Sequence, residues 1–315
     1  MTTASSGLND IYGSHELNDR RDRYLSAAQA QSAGPPLPPA VAAYLDDIAR
    51  EHTTLALPLV SLILFGSAAT GGYAAAGSDV DLLVVVSDDT DAPTRLRVRN
   101  RVAAIEARYA LVKPRTRPVS ALGGVLVALA DRLTANVRSF FVCTRADLLS
   151  GEPKRILAIP AFQARFVDRA AIPSIVRSGV TMWGEDLLSV VPLPPLRRLD
   201  VAMAFFGLWN QLLFTIAAYP LLPGATKYAM DALKHSVHNC YFCHRGWPAS
   251  LAVEVAYFEE LYGPMPTLRE LLVLRQAYRP SFMFALRCVP TLARLHMRTA
   301  RDLSFPRDLQ HLRDQ

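Results

Sequence analysis

Leu64-Phe65-Gly66-Ser67, residues 68–77, then Ser78-Asp79-Val80-Asp81-Leu82-Leu83-Val84-Val85-Val86 is the stretch whose reading decides the fold. Residues 61–65 form a short apolar run stopped by Gly66, the pattern of a buried strand. Gly71, Gly72 and Gly77 mark the following segment as a loop. Residues 80–86 read as a second strand, apolar on both faces and therefore central in its sheet. Asp79 and Asp81 stand two apart, so at a strand start their side chains leave the same face. Two neighbouring carboxylates repel and are costly to bury, and a divalent cation relieves both problems. Hard oxygen ligands of this kind suit Mg²⁺, which also takes substrate phosphates. Glycine lets backbone approach a ligand closely, and the N–H groups of Gly66 and Ser67, with the Ser67 hydroxyl, suit terminal phosphates. Phosphate on one edge and metal on the other is what phosphoryl-type transfer requires.

Outward from this core, residues 1–37 read as a polar N-terminal segment closed by the stiff Gly34-Pro35-Pro36-Leu37-Pro38-Pro39 linker. Val41, Tyr44, Leu45, Ile48 and Ala49 recur at helical spacing. Residues 93–111 predict a helix with Pro93 early and Leu96, Val98, Val102, Ile105 and Tyr109 toward the core. A strand is expected at 117–122, a helix at 123–137 and a strand at 139–144. Residues 38–150 thus make an α/β (α+β) domain with a small mixed sheet, and residues 151–315 an all-helical C-terminal domain.

The chain has 315 residues, 51% hydrophobic and 20% charged, the balance of a protein with a sizeable core. The net charge of +6 fits a phosphate-bearing partner, but no Lys/Arg run marks a nucleic-acid arm. Four cysteines in so long a chain build no disulfide framework, and residues 1–32 lack a signal peptide's apolar core, so a cytoplasmic protein is expected. Residues 201–219 are uncharged and long enough to span a bilayer. Asn210 and Gln211 at their middle favour a buried helix, and no membrane partner is expected. His235, His238, Cys240, Cys243 and His244 crowd one predicted helix; four ligands from one helix rarely reach tetrahedral geometry, so they read as core cysteines and capping histidines.

The constellation Gly66-Ser67 and Ser78-Asp79-Val80-Asp81-Leu82 resembles the Gly-Ser and Asp-x-Asp signature of the DNA polymerase beta-like nucleotidyltransferases. The kanamycin nucleotidyltransferase and minimal nucleotidyltransferase groups are the nearest in style. The resemblance spans about a third of the chain, residues 38–149. It implies transfer of a nucleoside monophosphate from a nucleoside triphosphate, ATP in the first instance, to a hydroxyl of a small molecule or protein. It implies Mg²⁺ at Asp79 and Asp81 and nucleotide contacts from Gly66, Ser67 and Ser78. The family's third carboxylate has no counterpart in the predicted strands at 117–122 and 139–144. By analogy with members that take their base from beyond the catalytic domain, Glu185 is the candidate base. The loop after Gly66-Ser67 carries no arginine, so Lys227 and Lys234, seven apart on one helix face, are the candidate phosphate ligands. The absent third acid also motivates an alternative: a catalytically inactive nucleotide-binding or antitoxin-like interaction protein of the same fold.

Overall fold

A computed structural model describes residues 37–55, 57–73, 79–109, 111, 124–125, 139–159, 170–193 and 198–302. Helix α1 (Pro39–Leu55) leads into strand β1 (Leu59–Phe65), which is followed by a single short turn of helix, α2 (Gly66–Ala69). Strand β2 (Asp81–Val86) then pairs antiparallel with β1, placing Phe65 opposite Asp81 and Leu59 opposite Val86. Helix α3 (Ala92–Arg108) begins at Asp91, whose side chain accepts from the Thr94 N–H at 2.8 Å, with Pro93 in the first turn, where a missing N–H costs nothing. Strand β3 (Phe140–Thr144) lies parallel to β2, and its exit is fixed by a reciprocal capping box between Thr144 and Asp147 at the start of α4 (Arg145–Leu149).

The four strands run in the order β3-β2-β1-β4, with β4 at Val180–Gly184 pairing antiparallel to β1. Alternation along β2 loads both sheet faces. Leu82, Val84 and Val86 pack with Val41, Tyr44 and Ile48 of α1 and with Val98, Val102 and Ile105 of α3. Leu83 and Val85 pack with Ile156 of α5 (Pro153–Ile156), Ile172 of α6 (Ala171–Ser178) and Leu187. Helices on both faces explain why β2 is apolar throughout. A bidentate pair from Arg101 to Glu51, at 2.9 and 2.8 Å, ties α3 to α1.

Two expectations change here. Residues 151–193 are not part of the helical domain: α5, α6 and β4 complete the sheet and cover its second face. The boundary therefore falls after the sheet's last strand, not at 150. Strand β4 escapes sequence reading because it is an edge strand with only intermediate and exposed positions, so no apolar run announces it. Leu96 is 44% exposed and does not join the α3 core face; Glu106 is buried there instead. The strand expected at 117–122 lies outside the described residues. So does the helix expected at 123–137, except Gly124 and Val125, which are helical.

The C-terminal half is a bundle of α7 (Arg198–Ala218), α8 (Thr226–Arg245), α9 (Leu251–Tyr262), α10 (Pro266–Gln276) and α11 (Phe282–Asp302). Leu233, Val237 and Cys240 of α8 meet Phe258 of α9, Leu271 of α10 and Leu292 of α11 in one core. Gly246 ends α8 in the left-handed conformation, with its N–H donating to Phe242 O at 2.7 Å. The segment expected as a buried helix is helical, yet only 28% of its most apolar window is buried, and that helix is long and apolar enough to cross a membrane.

Leu83, fully buried at the centre of the sheet, reports on the whole α/β layer. Leu83→Ala is expected to cost about 2–5 kcal/mol of unfolding free energy, read as a lowered urea midpoint at unchanged m-value.

Candidate active site

The glycine-serine turn and the paired aspartates meet at one end of the sheet. Phe65 opposite Asp81 brings the end of β1 beside the start of β2. Gly66 follows at φ +69°, a conformation only glycine adopts without strain, and a Cβ built on it would collide with Asp81 Oδ2 and lie 3.1 Å from Asp81 Cγ. The Asp81 carboxylate therefore occupies the space a side chain at 66 would fill. Thr70 Oγ1 donates to Gly66 O at 3.1 Å and the Gly72 N–H to Ser67 O at 2.9 Å, which hold the turn closed. Val80 is buried with Leu82 and Val84, Asp81 opens β2, and Asp79 stands two residues before it. Asp79 Oδ1 is buried.

Two residues that the sequence reading did not select, Tyr73 and Glu106, feel the charge of Asp79. Burial raises the Tyr73 hydroxyl pKa, and the nearby Asp79 charge raises it further. Glu106 projects from the core face of α3, 6% exposed. Burial raises its carboxyl pKa and Asp79 adds to the rise, while a hydrogen bond from Ser139 Oγ opposes it. Tyr44 stands fully buried beneath, its hydroxyl raised first by burial and then by Glu106. A signal for Glu106 existed: an acid four residues beyond Val102 on the apolar stripe of a helix is out of pattern.

The helical half contributes from the opposite side. Burial lowers the pKa of Arg275, on α10, while Asp231, Asp79, Glu254 and Asp81 act on its guanidinium in the opposite sense. The charge of this arginine is thus coupled to two carboxylates from each half of the chain. Asp231 lies on α8 with Lys234 Nζ 3.8 Å away, so the expected Lys227–Lys234 stripe is on the side of α8 that carries Asp231. Glu254 is fully buried, 2.5 Å from His238 Nδ1, and it accepts from the Ala249 N–H at 3.3 Å. The halves also touch directly: a Cβ at Gly72 would lie 3.3 Å from Ser250 Cβ, at the start of α9.

Glu185 is not brought to this site, which corrects its assignment as base. Its N–H donates to Val60 O at 3.0 Å, at the far end of β1 from Phe65, roughly 17 Å along an extended strand. There its carboxylate is exposed and engaged by Arg145 at 2.8 and 3.2 Å. Ser78 lies outside the described residues. The histidines and cysteines of α8 are dispersed among separate partners. His244 meets the hydroxyls of Tyr257, Tyr262 and Thr299 at 3.3, 3.2 and 3.3 Å, and Cys240 is in the core.

Residues 45–134 match the family model described as a nucleotidyltransferase domain, a segment that contains Gly66, Ser67, Asp79, Asp81 and Glu106. Among solved structures, a crystal structure of spectinomycin adenyltransferase from Enterococcus faecialis with ATP and spectinomycin is similar at 12% identity. The match covers 81% of this chain and 96% of that one, with a TM-score of 0.46. No curated protein matches the chain in sequence.

A carboxyl whose folded pKa lies above its unfolded value stabilises the fold fully below the unfolded value, and loses that contribution as pH rises through the folded one. Glu106, raised above its ordinary 4.5, has this sign. Glu106→Gln should therefore gain melting temperature relative to the parent as pH rises from the ordinary carboxyl range toward neutrality. Calorimetry across that range checks it; a difference that stays flat would remove Glu106 ionisation from the account.

Proposed function

We propose that this chain, whose residues 45–134 carry a nucleotidyltransferase domain, moves a nucleoside monophosphate from a nucleoside triphosphate to a hydroxyl of a small molecule. The observation that carries the reading is the placement of the Asp81 carboxylate against Gly66, two residues after Asp79, with the charge of Arg275 from the helical half coupled to both acids.

The donor set fits a divalent cation of the hard type. Asp79 and Asp81 offer carboxylate oxygens, and Mg²⁺ typically takes one or two carboxylates and completes its shell with water and substrate phosphates. When bound, the ion supplies charge neutralisation on the phosphates. The chain's own groups do the rest. The backbone of Gly66 and Ser67, with the Ser67 hydroxyl, binds the terminal phosphates; no side chain at 66 stands between them and Asp81. ATP is the co-substrate we assign, and we assign Lys227 and Lys234 of α8 to meet its charge from the helical half.

The acceptor oxygen attacks the α-phosphorus, the bond from that phosphorus to the bridging oxygen breaks, and pyrophosphate leaves. The acceptor proton needs a base. Glu254 is fully buried beside His238 and accepts from the Ala249 N–H, which shuts it away from an incoming acceptor. Asp231, 16% exposed at its side chain, shares the surroundings of Arg275 with the paired aspartates, and we assign it the proton. A carboxylate from the helical half also removes the motive for the inactive nucleotide-binding alternative, which rested on the missing third acid. In this reading Arg275 offsets negative charge as the phosphates enter.

Two experiments test this. Pyrophosphate release over a panel of hydroxylated acceptors should fall by about a thousandfold or more in Asp79→Asn and Asp81→Asn. Asp231→Asn should lose about 10²–10⁴-fold in kcat with ATP affinity retained. Glu185→Gln should stay within about twofold, as for an exposed ion pair. Transfer that survives both aspartate changes, or that Glu185→Gln abolishes, overturns the site. Separately, Gly66→Ala should reduce transfer by about 10²-fold, because Asp81 must move to admit the methyl group. Unaltered turnover in that variant would show that the close approach is not required.

A further inference from the structure

Helix α7 carries two seams. Val201, Ala204, Leu212, Thr215 and Ala218 are buried against the rest of the bundle. On the other side Leu199, Met203, Phe206 and Leu213 stand 66%, 41%, 57% and 45% exposed, with Asn210 and Ala217 exposed between and beyond them. Steps of four, three, four, three and four residues separate these six positions. That is the a/d spacing of a heptad seam, in which one helix packs along another. No charged residue falls between Val201 and Ala218, and none of the described residues covers this face.

We infer that the outer seam of α7 is the interface through which a second copy of this chain docks. Three observations select that occupant. The first is pattern: a strict a/d stripe is narrower than the face a globular core needs and matches a helix partner. The second is Asn210. The adjacent amide, Gln211, is turned inward and donates to Tyr228 O at 3.0 Å, so only Asn210 is presented on the seam. It sits at the seam's middle, with apolar positions on either side. A single polar residue at such a position fixes register and copy number, and in a two-fold pair centred there the amide meets its own counterpart. The third is area. The four large side chains expose on the order of 400 Å² per chain, the size of the largest patch on a typical monomer, which is often functional. Two such faces with their flanking residues approach the roughly 1,000 Å² that marks a specific interface.

A lipid bilayer fits less well, although the window's mean hydropathy is 1.6. Spanning would pull Leu212 and its buried neighbours out of the bundle core and set Asn210 in hydrocarbon. The dimer keeps α7 where it is.

Sedimentation equilibrium of the full chain at micromolar concentration tests the proposal, run beside flotation with phosphatidylcholine–phosphatidylglycerol vesicles. The expected result is twice the chain mass and no flotation. Phe206→Glu and Leu213→Glu, each checked for unchanged far-UV circular dichroism, should raise the dissociation constant by about 100-fold or more. Asn210→Cys, which leaves the apolar residues in place, should form an intermolecular disulfide on mild oxidation. Leu261→Cys, exposed on α9, should not. A single-chain mass across the concentration range overturns the proposal. So does a dimer indifferent to all three seam changes, and so does a single chain that floats with vesicles.

Discussion

The Asp81 carboxylate lies where a side chain at position 66 would otherwise be. Everything at this end of the sheet follows from that steric fact. A glycine at positive φ ends β1 without a Cβ, and the antiparallel register sets the first residue of β2 directly beside it. The acid can then come close to a turn whose backbone N–H groups suit phosphate. Any larger residue at 66 would push the two halves of the constellation apart, whatever the rest of the fold did.

The sheet holds this geometry because β2 is apolar on both sides and is packed on both sides. Leu82, Val84 and Val86 lock against α1 and α3; Leu83 and Val85 lock against α5, α6 and the segment around Leu187. A strand clamped from two directions cannot slip in register without driving an apolar row into the wrong layer. The aspartates at its start inherit that rigidity. Buried groups couple in a chain from them: the Asp79 charge acts on Glu106, which accepts from Ser139, and Glu106 acts on the buried Tyr44.

The helical half is joined to the site by charge and by contact. The charge of Arg275 is coupled to Asp79 and Asp81 of one half and to Asp231 and Glu254 of the other, and Gly72 abuts the start of α9. The outer face of α7 belongs to neither half's core.

The sequence by itself determined the central strands, the glycine turn between them, the pair of aspartates and the helical character of the C-terminal half. Each rests on local periodicity or on a residue whose backbone freedom is intrinsic. Tertiary structure alone decided the rest. Strand β4 has no apolar pattern of its own and exists because β1 offers a free edge. Family analogy brings Glu185 to the site as base, yet antiparallel pairing carries it to the opposite end of β1. The coupling of Arg275 to acids of both halves exists only because separate helices pack against one another, and packing between distant segments leaves no periodic trace in the chain. For the same reason the exposed seam of α7 reads as simply apolar in sequence; which of its faces the bundle leaves open is fixed by its neighbours.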